Sequence, residues 1–149
     1  MTYSFKLFEH WGLLSIEHRG KFQGAETDEA AVSILGDMPL PQRRNVRRIG
    51  VDLRNVDFAT LQDTDGARVR RSERLLQQLL QLTNEDYAEH LKGMNLIGWI
   101  DPSAPVQKIL DERMIRVERN IKFGSTGVCT TKEEYLRLLN LPPDFDLSE

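Results

Sequence analysis

The fold class this sequence predicts is α/β, a single domain with a mixed, mostly parallel sheet. Three observations carry it. Strand-sized apolar segments alternate in a two-residue period, amphipathic segments with a 3.6-residue period fall between them, and the first two strand segments lie only a short turn apart. The resulting order, β-β-α-β-α-β-α-β-α, calls for about five strands and about four helices joined by right-handed crossovers. The initial hairpin adds one antiparallel edge strand. The expected domain spans residues 1–141, followed by an acidic C-terminal tail over 142–149.

Tyr3 to Glu9 opens the pattern, with Tyr3, Phe5 and Leu7 on one face and Ser4 and Lys6 on the other. His10-Trp11-Gly12 reads as a turn, and Leu13 to His18 as the returning strand. Thr27 is placed as an N-cap, with Asp28 and Glu29 in the first helical turn, where negative charge suits the helix dipole. Ala30, Ala31, Ile34 and Leu35 form that helix's apolar face, Gly36 ends it, and Pro39 and Pro41 mark a loop. Ile49, Val51 and Leu53 alternate with Gly50 and Asp52 in a third strand, Arg48 to Leu53. A second helix is expected from Thr64 to Leu82.

Leu96 to Ile100 is apolar on both faces, as in the interior of a covered sheet. A third helix is expected up to Asn120, and Gly127-Val128-Cys129 is a short fifth strand. Thr131 and Glu134 have capping-box spacing. The last helix carries Tyr135, Leu136, Leu138 and Leu139; Asn140 is placed as its C-cap, and Pro142-Pro143 bars continuation. Asp144 to Glu149 is expected to fray.

Composition narrows the function classes. The chain has 149 residues, 40% hydrophobic and 29% charged, with a formal charge of −3. That balance is globular, and the total charge argues against a nucleic-acid binder driven by overall charge. No run approaches the ~18 apolar residues of a membrane span, and the first residues lack the pattern of a signal peptide. The lone Cys129 excludes an internal disulfide framework and a multi-cysteine zinc site. A cytoplasmic location is the expectation. No cofactor is expected.

Chemistry-bearing residues are few. His10, His18 and His90 show no metal-ligand spacing, so no metal site is expected. Cys129 precedes a helix N-terminus, which favours a thiolate, but a buried small residue fits the same position. The glycines make no phosphate-binding loop. Asp52, Asp57, Asp63 and Asp65 follow or end the third strand, where open α/β sheets place their sites. Asp52, Asp57 and Asp63 are candidate site carboxylates; helix starts and turns also favour Asp for local reasons.

The arginines stand out. Residues 43–74 hold nine arginines, no lysine and five carboxylates, a net +4 that leaves −7 for the rest. Arg43, Arg44, Arg47, Arg48, Arg68, Arg70, Arg71 and Arg74 are read as a surface for an anion or an acidic partner, since guanidinium matches carboxylate and phosphate. A solvated helix face and a basic loop is the alternative. No aromatic residues interleave as in single-strand nucleic-acid binders, so nucleic acid is not expected.

The element order and several strings resemble the STAS domain, the sulfate-transporter and anti-sigma-factor-antagonist family, in its SpoIIAA-like branch. Residues 12–20, Gly-Leu-Leu-Ser-Ile-Glu-His-Arg-Gly, look like its second strand. Residues 49–57, Ile-Gly-Val-Asp-Leu-Arg-Asn-Val-Asp, are similar to its central strand. Residues 96–100 and 128–134 look like its last strands and the start of its terminal helix. The resemblance implies a non-catalytic regulatory module that binds a protein partner. It also implies a phosphorylated hydroxyl in an Asp-Ser-Ser/Ala-Gly string, matched here by Asp63-Thr64-Asp65-Gly66, with Thr64 as the phosphosite. Asp65 and the intervening Ala59 to Gln62 depart from that string.

Two further readings stand beside it: a module for a small anionic or lipid-like ligand, and an enzyme using the aspartate cluster. A homo-oligomer is compatible with all three.

Overall fold

The computed structural model describes residues 2–22, 26–58, 93–105 and 125–148, with the backbone alone for 26–28 and 125–126. The strands are β1 (Thr2–Phe8), β2 (Leu13–Lys21), β3 (Arg48–Asp57), β4 (Asn95–Trp99) and β5 (Ser125–Cys129). The described helices are α1 (Glu26–Asp37), α2 (Leu40–Arg44) and α3 (Lys132–Leu138). The helices expected over 64–82 and up to Asn120 lie outside the described residues. The expected α/β class and mostly parallel sheet are present: one five-stranded sheet in the order β1-β2-β3-β4-β5. β1 runs antiparallel to β2, and every other neighbouring pair is parallel.

The first connection is tighter than a simple turn. Glu9–Trp11 form one turn of 3-10 helix, and Gly12 closes it at φ 57°. A Cβ at Gly12 would sit 2.6 Å from the Asn45 carbonyl, so glycine is required by both conformation and space. The Gly12 carbonyl accepts from the amides of Arg47 (2.8 Å) and Arg48 (3.0 Å), tying the hairpin to the start of β3.

Several boundaries differ from those expected. β2 continues to Lys21 and β3 to Asp57, because they pair with each other along that length. α1 starts at Glu26, so Thr27 is inside the helix and not its cap, and it runs past Gly36 to Asp37. Pro39 and Pro41 belong to α2, with Pro39 at its N-cap. Proline suits a first helical turn, where its missing N–H has no partner to lose. The last helix is capped as expected at its start: the Glu134 amide donates to Thr131 Oγ1 at 3.2 Å. Leu139, and not Asn140, is the C-cap; Asn140 follows in the left-handed region at φ 56°. The Leu141 amide donates to the Leu136 carbonyl and the Asn140 amide to Arg137, which makes a Schellman closure.

Strand alternation divides the side chains between two faces. On the first, Leu14, Ile16, Ile49, Val51 and Leu53 pack with Ile34 and Leu35 of α1. On the second, Leu13, Ile97, Trp99 and Cys129 pack with Tyr135, Leu136 and Leu139 of α3. The expected frayed tail is docked on this second face. Phe145 is buried, with its ring 5.3 Å from Phe8 and 5.4 Å from Trp11, both edge-on.

Candidate functional site

Register sets one row of the second face. Ser4 pairs with Glu17, Glu17 with Asp52, Asp52 with Trp99, and Trp99 with Cys129. α3 covers the Trp99–Cys129 end of the row and leaves the Glu17–Asp52 end polar. Beyond this row β2 and β3 slip: Glu17 to Arg19 on β2 is matched by Asp52 to Asn55 on β3. The extra residue is a bulge, a device that re-aims a side chain.

Arg54 lies in that bulge. Its Nε and Nη2 donate to Asp52 Oδ1 (3.0 Å) and Oδ2 (2.8 Å), and its amide donates to Oδ1 at 3.1 Å. The guanidinium carbon sits 3.5 Å above the Trp99 ring. A fork on a carboxylate and a ring underneath fix both the direction and the plane of the guanidinium. The Asp52 hydrogen bond raises the Arg54 pKa; partial burial opposes it, and the charges of Asp52 and Glu17 add to it. The Arg54 side chain is still 44% exposed. It therefore presents an oriented cation to whatever approaches. Beside it, Arg19 Nη2 meets Glu17 Oε1 at 2.7 Å.

Tyr135 stands under this group. Its ring centre is 5.0 Å from that of Trp99, and its hydroxyl is buried with no hydrogen-bond partner among the described residues. Burial pushes its pKa well up, and the Asp52 charge adds to the shift, so the phenol stays neutral. Gly50 makes the room: a Cβ there would overlap the hydroxyl and lie 3.0 Å from Tyr135 Cζ and 3.2 Å from a Leu139 methyl.

A cleft of about 520 Å³ opens at the carboxyl ends of β3 and β4. Arg54, Asp57, Phe58, Asp101, Ser103 and Pro105 contribute to its lining. Ser103 Oγ (2.6 Å) and its amide (2.9 Å) donate to Asp101 Oδ1 and lower the Asp101 pKa.

Among the described residues, the arginines expected to share one surface have separate tasks. Buried Arg43 donates from Nη2 to the carbonyls of Gly36 (3.1 Å) and Met38 (2.9 Å), closing the α1–α2 corner. Arg48 donates from Nε to the Leu139 carbonyl (2.6 Å) and from Nη1 to the Trp11 carbonyl, joining β3 to the end of α3. These two are structural joints and not part of an anion surface. Arg44 is half-buried, and exposed Arg47 donates to its carbonyl at 2.8 Å. Arg68, Arg70, Arg71 and Arg74 lie outside the described residues, as do Thr64 and Asp63.

The two described site carboxylates do not converge. Asp52 is held by Arg54, and Asp57 is exposed at the end of the same strand. Five residues of strand span about 16 Å. Cys129 is buried, with Sγ 3.5 Å from the Gly98 carbonyl, as a packed residue would be. His18 is buried in the middle of β2 with its ring centre 5.8 Å from that of Tyr3. Among the described residues, no group of three or more His, Cys, Asp or Glu could hold a metal, and no helix is long and apolar enough to cross a membrane.

Arg54 is one of the nine arginines of residues 43–74, and the sequence pattern assigns no site role to it or to Trp99, Tyr135 and Gly50. A signal was present for two of them. Asp52 and Arg54 are two apart on a strand, which puts opposite charges on one face, and a glycine inside an apolar strand marks a close approach. Trp99 and Tyr135 carried none, because their meeting depends on β4 lying beside β3 and on α3 folding back. No family model matches the chain, and neither does any curated protein sequence.

Proposed function

We propose that this chain is a STAS-like, non-catalytic regulatory module that docks a carboxylate-bearing protein partner over the carboxyl ends of β3 and β4. One observation carries the reading: Arg54 is fixed in direction by Asp52 and Trp99, yet 44% of its side chain faces solvent at the mouth of a cleft. A pre-oriented guanidinium loses little conformational freedom on meeting a carboxylate, so its contact contributes more to binding. The site lies where open α/β sheets bind their ligands. The element order of the SpoIIAA-like branch supports the regulatory part of the reading.

The test is cross-linked capture from native extract with the wild-type chain and with Arg54→Met. A protein retained by the first and lost by the second, with circular dichroism unchanged, supports the proposal. Equal capture by both, or none by either, rejects it. The Thr64 switch belongs to the same reading: Thr64→Glu abolishes capture, whereas Thr64→Ala preserves it. If both variants behave alike, Thr64 is not a phosphosite.

A second reading, a small ligand in the cleft whose anionic group would meet Arg54 and not Asp57 or Asp101, rests on the cleft's volume of about 520 Å³. Calorimetry with phosphate and short dicarboxylates separates the two readings. Saturable binding that Arg54→Met removes favours the ligand.

A further inference from the structure

The outer edge of β1 pairs with no described strand. Sheet edges with free N–H and C=O groups are templates for another strand, and proteins usually guard them with proline, bulges or outward charges. β1 carries none of these guards on its first face. Tyr3 and Phe5, on the side of the sheet that α1 covers elsewhere, are 45% and 54% exposed. Lys6, the only charge in β1, points to the other face. Its ammonium donates to the Ser148 carbonyl at 3.1 Å and lies 5.1 Å from the centre of the Phe8 ring.

We propose that β1 pairs with β1 of a second copy of this chain, antiparallel about a two-fold axis through Phe5, to make one continuous sheet across two subunits. The strand is complementary to itself in that register. β1 runs from Thr2 to Phe8, so an axis at Phe5 overlaps the whole strand. Phe5 then faces Phe5 of the second copy, and Tyr3 faces Leu7 on both sides of it. Aromatic and aliphatic cross-strand pairs of this kind stabilise a ladder. Ser4 faces Lys6, so no like charges are directly opposed. A slip by one residue would set the apolar face of one strand against the polar face of the other. A slip by two leaves strand ends unpaired, and one direction sets Lys6 on Lys6. A two-fold contact of this kind is closed and does not propagate into fibres.

The surface involved is small. Four exposed rings and two strand edges fall below about 1,200 Å², so a dissociation constant above about 1 μM is expected. This inference concerns a different surface from the cleft at Arg54 and stands or falls separately.

Sedimentation velocity on the full chain over a concentration series tests it, together with cysteine cross-linking. The wild type should shift from monomer to dimer with concentration. Phe5→Lys, which places like charges on the axis at an exposed position, should stay monomeric with an unchanged melting temperature. Phe5→Cys should form a cross-linked dimer under mild oxidation. Tyr3→Cys should not, since its two copies would lie about 13 Å apart along the strands. A wild type that stays monomeric up to about 1 mM overturns the proposal. So does a dimer that Phe5→Lys leaves intact, or cross-linking of Tyr3→Cys as fast as Phe5→Cys. A monomer that captures a different protein through β1 also overturns it.

Discussion

The two faces of the sheet are built from alternate residues of the same strands, yet they differ in kind. On the first face, β2 and β3 offer Leu14, Ile16, Ile49, Val51 and Leu53 to α1, and buried His18 is the polar exception on β2. On the second, the same strands offer Ser15, Glu17, Gly50, Asp52 and Arg54. Leu13 at the start of β2, with Ile97, Trp99 and Cys129 of β4 and β5, makes part of that face apolar enough for α3. The first face holds the larger of the two buried apolar clusters, and so the larger share of the stability that burial supplies. The second divides its area between a small core and a polar half. Arg54 stands at the boundary, stacked on the core and open to solvent. A candidate binding residue is thus supported by packing without being enclosed by it.

The largest expected effect breaks the first face. Ile49→Ala removes a fully buried side chain and should cost about 3 kcal/mol in a urea titration. If the cost falls below about 1 kcal/mol, the first face is not the main source of stability. Gly50→Ala, the adjacent residue on the opposite face, should cost about 2 kcal/mol by overpacking against Tyr135 and Leu139.

A double variant sharpens the point. Adding Tyr135→Phe should recover part of that loss, because the overlapping hydroxyl is gone while the 3.2 Å contact with Leu139 remains. By itself, Tyr135→Phe removes a buried hydroxyl without a partner and should be neutral or stabilising by up to about 1 kcal/mol. A clear destabilisation would mean that the hydroxyl has a partner after all. A small effect on stability is expected at Arg54→Met, about 1 kcal/mol for an ion pair that is half-exposed on its Arg54 side. It is the same substitution for which the proposed function expects the largest loss of binding. Comparable losses of stability and binding would merge the two roles of the second face.

Much of the fold was legible because it is written locally. Alternation at Ile49, Val51 and Leu53 needs only neighbouring residues to declare a strand, and Thr131 needs only Glu134 to make a cap. The true ends of β2 and β3 were less legible, since each is extended by pairing with the other. Two of the arginines were illegible for a related reason. Guanidinium groups near one another in sequence were read as one surface, but Arg43 and Arg48 are drawn inward by carbonyls that helix ends leave unpaired.

Local pattern is enough for the α/β class, the mostly parallel pairing with an antiparallel first hairpin, and which residues of each strand share a face. These follow from side-chain periodicity and from the length of the connections. The tertiary structure decided which strands are neighbours, where α3 comes to rest, and how the Arg54 guanidinium is held. Those outcomes depend on contacts between residues far apart in the chain, such as Arg54 with Trp99 and Gly50 with Tyr135, which no local pattern encodes.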